Sequence, residues 1–374
     1  MHSSNDTPES KSLKLFQPFD VKTTHLRNRF VMAPMTRNFS PKGIPGENVS
    51  AYYRKRAEAG VGLIITEGTT VNHKASNGYP DVPAFYGEQA LAGWKRVVDE
   101  VHEAGGLIIP QIWHVGNRRK RGMEPHPDVP GYGPMTIEKD GVIETKGMTI
   151  EDIHEVVNAF GTAARDAEDL GFDGVEIHGA HEYLIDDFFW ERSNQRTDEY
   201  GGSLEKRLRF AIEVIRAVRD AVSANFMVVF RFSQWKQQDF NAKLAKTPEE
   251  LERFLIPLSE AGVDVFHAST RRFWEPEFEG SSLNLAGWTK KITGKPVITV
   301  GSVGLDSTFT SSFGGKTANS TGIEELVKRV ETGEFDLVAV GRALLADPDW
   351  INKIIDRDGH EIEPFTKEKL AVLA

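Results

Sequence analysis

Two imidazoles and a phenol stand within six residues in His178-Gly179-Ala180-His181-Glu182-Tyr183. Paired ring N–H groups can donate to one substrate oxygen, and a nearby phenol can supply a proton. Histidines that only cap backbone carbonyls are the structural alternative. A metal is a third reading, with Glu182 or Asp187 joining the histidines, but no further ligand stands at a standard spacing, so no metal is expected. Arg231 interrupts the apolar run Val228-Val229-Phe230-Arg231-Phe232-Ser233. A cation in such a strand must meet a ligand anion, carbonyls or a structural ion pair, and its context leaves these open. Gly301-Ser302-Val303-Gly304 and Gly341-Arg342 have the makings of a phosphate cradle: glycines that admit close backbone approach and a forked cation.

These residues sit on a regular rhythm. Eight short apolar runs read as strands: Arg29–Met35, Gly62–Glu67, Leu107–Trp113, Gly174–His178, Phe226–Ser233, Val263–Ala268, Pro296–Gly301 and Leu337–Gly341. Between them, Gln89–Ala104, Ile150–Leu170, Ser203–Ser223, Pro248–Ala261, Gly322–Glu331 and Pro348–Ile355 have helical spacing. Alternation of this kind predicts a parallel sheet, and eight repeats predict closure into a single (β/α)8 TIM barrel with an N-terminal cap. The Pro- and Gly-rich stretch 118–147 is expected to form an excursion after the third strand, with Val142–Thr145 in a strand. In such barrels chemistry gathers where strands run into their following loops. Thr36, Gly68, Gln111, Trp113, His178, His181, Arg231, Gly301-Ser302 and Gly341-Arg342 all fall at that level.

Composition narrows the chemistry. The chain has no cysteine, which excludes disulfides, thiolate metal sites, iron–sulfur clusters and cysteine nucleophiles. A formal charge of −10, from 55 acidic and 45 basic residues, argues against nucleic acid or an anionic membrane as partner. The basic run Arg118-Arg119-Lys120-Arg121 reads as a solvated loop or as a neighbour of a phosphorylated ligand. No window approaches the roughly 18 consecutive apolar residues of a membrane span, and Met1–Lys11 lacks a signal-peptide core. The expectation is a cytoplasmic protein with a disordered tail over residues 1–11 and one barrel domain over 12–374; monomer and homo-oligomer both fit.

The motifs resemble the Old Yellow Enzyme family of FMN-dependent oxidoreductases. The resemblance is carried by Leu15–Asn28, Val31-Met32-Ala33-Pro34-Met35-Thr36-Arg37, Ile65-Thr66-Glu67-Gly68, Gln111-Ile112-Trp113, His178–Tyr183, Ser193–Ser203 and Gly341–Asp349, and covers residues 12–357. It implies bound FMN, NADPH or NADH as hydride donor, and a small α,β-unsaturated carbonyl substrate. Thr36 would bond the flavin C4 carbonyl oxygen, Gln111 its pyrimidine edge, and Arg231 the N1/C2 side where negative charge collects on reduction. Pro34, Met35 and Gly68 would pack on the ring, with Gly68 leaving room for it, and Gly301, Ser302, Gly341 and Arg342 would hold the phosphate. His178 and His181 would bind the substrate oxygen, Tyr183 would protonate the α-carbon, and Trp113 and Trp274 would shape the substrate pocket.

Two features depart from the family pattern. Gln234-Trp235-Lys236-Gln237-Gln238-Asp239 follows Ser233, where many relatives have Ser-Pro and shortly a Gly, and Arg271-Arg272-Phe273-Trp274 follows the sixth strand. Rival readings are an FMN barrel working in the oxidative direction or on another acceptor, a flavin-free lyase and a noncatalytic binding protein. No lysine stands at the end of a predicted strand, which argues against a Schiff-base lyase.

Overall fold

In the computed structural model, which describes residues 13–308, 311, 312, 314–356 and 361–374, the barrel closes through eight parallel strands. They are β3 (Phe30–Met32), β4 (Leu63–Thr70), β5 (Ile108–Trp113), β9 (Gly174–Gly179), β10 (Met227–Ser233), β11 (Val265–Ser269), β12 (Val297–Val300) and β13 (Leu337–Val340), paired in that order, with β13 returning to β3. Every predicted run carries one of these strands. The first stops at Met32 rather than Met35: Ala33 still donates to Val340 O, but Pro34 has no N–H to continue the ladder. The second runs on to Thr70 past a register shift between Ile65 and Gly68. The predicted tail over residues 1–11 lies outside the described residues.

Helices α1 (Glu47–Glu58), α2 (Glu88–Glu103), α3 (Ile150–Leu170), α4 (Leu184–Phe189), α5 (Leu204–Ala221), α6 (Pro248–Ala261), α7 (Leu285–Thr293) and α8 (Glu324–Glu331) follow the strands. Local signals set their ends. Thr149 and Asp152 cap α3 reciprocally, and Gly171 closes it in the left-handed conformation at φ 88°. The excursion folds into a small sheet of β6 (Gly131–Gly133), β7 (Ile137–Lys139) and β8 (Val142–Gly147), so the predicted strand at 142–145 is present. The basic run belongs to this excursion. Arg119 is buried and donates to the carbonyls of Asn77, Met123, His126 and Val129, which makes it a clasp for the loop.

Alternation along the barrel strands sorts their inward side chains into an aliphatic layer below and two polar levels above it. Val31, Leu63, Ile65, Ile109, Met227, Val229, Val265, Ile298, Leu337 and Ala339 form an aliphatic lower layer. The hairpin of β1 (Phe19–Val21) and β2 (Thr24–Leu26) closes it from below with Val21 and Leu26, and this is the predicted cap. Two residues further along, the inward positions become Gln111, Glu176, Arg231 and His267, and two further Trp113, His178, Ser233 and Ser269. Leu26 is fully buried. Leu26→Ala should therefore lower the apparent unfolding free energy by about 2–5 kcal/mol, read as a lower urea midpoint at unchanged slope.

Candidate active site

The upper layer is a connected polar network. Glu176 accepts from Gln111 Nε2 at 2.7 Å through one oxygen and meets His267 Nδ1 at 2.7 Å through the other. Burial lowers the His267 pKa despite the carboxylate, so the ring is neutral with its proton on Nδ1; among the described residues its buried Nε2 has no partner. Arg231 is buried beside them. Among the described residues its one hydrogen bond is from Nη2 to Ser269 Oγ at 3.3 Å, no carboxylate pairs with it, and its Nε is unpartnered. The structure thus decides against a local ion pair for Arg231 and leaves a desolvated cation facing the mouth of the barrel.

His178 and His181 stand above this layer with ring centroids 5.4 Å apart and planes nearly perpendicular. Burial first, then Arg231, holds both imidazoles well below the usual histidine range, so both are neutral. The Ala180 N–H donates to His178 Nδ1 at 3.3 Å, which puts the ring proton on Nε2. Ser269 Oγ, which accepts from Arg231 Nη2, lies 2.8 Å from His181 Nε2; a serine that donates there leaves the His181 proton on Nδ1. Among the described residues no hydrogen bond engages His178 Nε2 or His181 Nδ1. The Tyr183 ring lies 4.9 Å from His178 and 4.8 Å from Trp113. Its hydroxyl is 3.1 Å from that of Tyr79, and burial, reinforced by Tyr79, pushes its pKa up.

The turn that carries these groups is strained. His181 and Glu182 have φ of 64° and 59°, a left-handed conformation that costs a non-glycine residue roughly 1–2 kcal/mol. Asp186 Oδ2 accepts the Glu182 N–H at 2.7 Å, Glu182 Oε2 accepts the Gln238 N–H at 2.8 Å, and the His181 N–H donates to Ser233 Oγ at 3.1 Å.

At the opposite side of the mouth, Pro34 and Met35 are half-buried and Thr36 is exposed. Glu67 holds their turn by accepting from Arg37 N at 2.9 Å and Asn38 N at 3.4 Å. A Cβ on Gly341 would lie 3.5 Å from Met35 Sδ, so the exits of β3 and β13 adjoin. Gly301, at φ 140°, could carry no side chain: its Cβ would meet Thr270 O at 2.7 Å. Arg342 donates to Ser312 Oγ, Ser302 Oγ and Ser307 O at 2.6, 3.3 and 2.7 Å, all neutral acceptors. Burial lowers its pKa to about 10, which leaves it a cation. The residues predicted for a phosphate, Gly301, Ser302, Gly341 and Arg342, therefore come together.

A Cβ on Gly68 would lie 2.5 Å from Trp113 Cε3, so the indole packs directly against this glycine. Trp274 is exposed and packs edge-on against Phe273, and its carbonyl accepts from Arg329 of α8. Besides Trp113, a second indole stands beside the histidines: Trp235 stacks on His181 at 4.4 Å with Nε1 donating to Ser269 O at 3.1 Å. Sequence reading treated Trp235 only as a departure; its place two residues beyond the end of β10 was the available signal. Ser269 and His267 were legible from alternation along β11, whereas Tyr79 comes from a loop with no periodicity.

A family model, the NADH:flavin oxidoreductase / NADH oxidase family, matches residues 14–359. The chain belongs to this family, that of Old Yellow Enzyme. 12-Oxophytodienoate reductase 2 of Arabidopsis thaliana is 36% identical over 351 residues, covering 91% of this chain and 87% of its own. An NADH oxidase of Thermoanaerobacter brockii is 34% identical over 357 residues, and the match spans 93% of this chain but 52% of that larger protein. A solved structure of morphinone reductase in complex with tetrahydroNAD superposes with a TM-score of 0.79 at 26% identity, covering 95% of this chain and 93% of that one. Membership makes the protein an oxidoreductase and implies a flavin and a nicotinamide nucleotide. Among the described residues, Arg231 without a carboxylate partner and the neutral acceptors of Arg342 fit an electron-rich ring and a phosphate. Among the described residues no helix is long and apolar enough to cross a membrane.

Burial raises the Glu67 carboxyl from 4.5 to about 7. Between these values the folded protein holds a proton that the unfolded chain has released, so this group's contribution to stability falls as pH rises from 4.5 to 7. Glu67→Gln should remove up to about 3 kcal/mol of that decline, read by comparing denaturant melts of both proteins between pH 5 and pH 8.

Proposed function

We propose that the protein is an FMN-dependent ene-reductase that reduces α,β-unsaturated carbonyl compounds at the expense of NAD(P)H. The observation that carries this reading is the pair of neutral imidazoles, 5.4 Å apart, beside a protonated phenol and a buried cation. Bound FMN would supply a hydride, taken from NAD(P)H, to the β-carbon of the substrate. Gln111 and Arg231 would hold the pyrimidine side of the ring, Thr36 its C4 carbonyl, and Pro34 and Met35 the edge near β3. Gly301, Ser302, Gly341 and Arg342 would hold the phosphate.

His178 Nε2–H and His181 Nδ1–H would donate to the carbonyl oxygen. Both donors are fixed before the substrate arrives, so they favour the enolate-like charge that grows on that oxygen. Being neutral, they do so without giving up a proton. That proton comes from Tyr183 Oη to the α-carbon; a phenol stays protonated at neutral pH yet can protonate an enolate. Trp113, packed between His178 and Tyr79, and Trp235, stacked on His181, would form apolar walls that keep water from the reacting bond.

Anaerobic absorbance tests the reading. The purified protein should carry a yellow flavin that bleaches with NADH or NADPH and regains colour with 2-cyclohexenone. Bleaching without recovery would point to another acceptor, and failure to hold FMN would overturn the assignment. Tyr183→Phe should slow the enone step on the order of 10²–10⁴-fold while sparing reduction by NAD(P)H, as read by stopped flow. His181→Ala should lower kcat/KM for the enone by about 10²–10³-fold in steady-state assays.

A further inference from the structure

We infer that Lys236 is a positioning residue for His181, acting through Asp186 to hold the left-handed turn that carries this imidazole. Its catalytic consequence rests on the ene-reductase reading; its structural part does not. Lys236 lies in the segment where the chain departs from the family pattern. Its side chain is fully buried, with Nζ 2.5 Å from Asp186 Oδ1. The other oxygen of Asp186 accepts the Glu182 N–H at 2.7 Å. One carboxylate therefore joins the ammonium to the backbone of the turn, at the residue next to His181.

The surrounding charges show why the ammonium is needed. Asp187 is buried with neither oxygen hydrogen-bonded among the described residues, and burial, then Asp186 and Glu182, push its carboxyl well up, so it is neutral. The remaining charges are Asp186 and Glu182 against Lys236 and Arg118, whose Nη2 is 2.5 Å from Glu182 Oε2. Without Lys236, burial would favour the protonated acid at Asp186, a weaker acceptor for the Glu182 N–H. His181 and Glu182 would then be held less firmly in their left-handed conformation.

The same segment holds the turn from two other directions. Trp235 stacks on the His181 ring, and the Gln238 N–H reaches Glu182 Oε2. Lys236 and Asp239 exchange backbone hydrogen bonds at 3.0 and 3.1 Å, which closes the segment on itself. Lys236 is thus the charged anchor of a clasp whose other members touch His181 and Glu182 directly.

The test uses FMN-loaded Lys236→Met and Lys236→Met/Asp186→Asn. The double variant removes both charges but keeps an amide oxygen for the Glu182 N–H. In Lys236→Met the ring-nitrogen NMR signals of His181, followed in isotope-labelled histidine protein, should move. Reoxidation by 2-cyclohexenone should slow on the order of 10²-fold, with reduction by NAD(P)H unchanged, and the double variant should return both readouts toward wild type. Unmoved His181 signals, or equal slowing of both half-reactions, would overturn the proposal and leave a buried pair that only stabilises the barrel. If Lys236→Met does not fold, Lys236→Arg takes its place, since a guanidinium too large for the site should displace the turn and give the same selective slowing. If the wild type fails to reduce the enone, the functional reading fails, and the His181 signals still decide the role of Lys236.

Discussion

Glu176 is a carboxylate at the centre of a closed barrel, and the upper half of the structure is organised around it. Buried anions are tolerated only when their lone pairs are used. Gln111 and His267 use both oxygens, and that fixes an amide and an imidazole in the layer directly above the aliphatic floor. Arg231, on the strand between those of Glu176 and His267, gains a nearby anion without forming an ion pair with it. The carboxylate therefore permits the cation to be buried while leaving its nitrogens available at the barrel mouth.

From that layer upward, the site is built of donors whose direction is set before any ligand arrives. Arg231 orients Ser269, Ser269 orients His181, and a backbone N–H orients His178. The bond to His178 also fixes the tautomer of that neutral ring. Preorganisation of this kind carries its cost in the folded state, as atoms on Arg231, His267 and Trp113 without partners among the described residues and as left-handed backbone at His181 and Glu182. The aliphatic lower layer and its N-terminal hairpin supply the stability that lets the upper layer keep these features.

The loops divide the work unequally. Those after β3, β12 and β13 bring Met35, Gly301, Ser302 and Arg342 together through short, glycine-dependent approaches. Those after β9 and β10 meet each other, and Trp235, Lys236 and Gln238 fasten the turn of His181 and Glu182. The departure from the family pattern after β10 therefore lies against that turn.

The eight strands, their order along the chain and the level at which polar residues collect were all legible in the amino-acid sequence. A strand period of two and a strict strand–helix alternation leave few ways to bury these apolar runs. The histidine–tyrosine cluster was legible as well, because its members are neighbours in the chain. Contacts between residues distant in sequence were decided only in three dimensions. Tyr79 meets Tyr183 across 104 positions and Lys236 meets Asp186 across 50, from loops with no periodicity to announce them. Trp274 and Trp235 show the same limit: both follow barrel strands, yet the carbonyl of one accepts from Arg329 while the indole of the other donates to Ser269 O and stacks on His181. Composition told which side chains were available near the mouth; the packing of loop on loop chose which of them face the pocket.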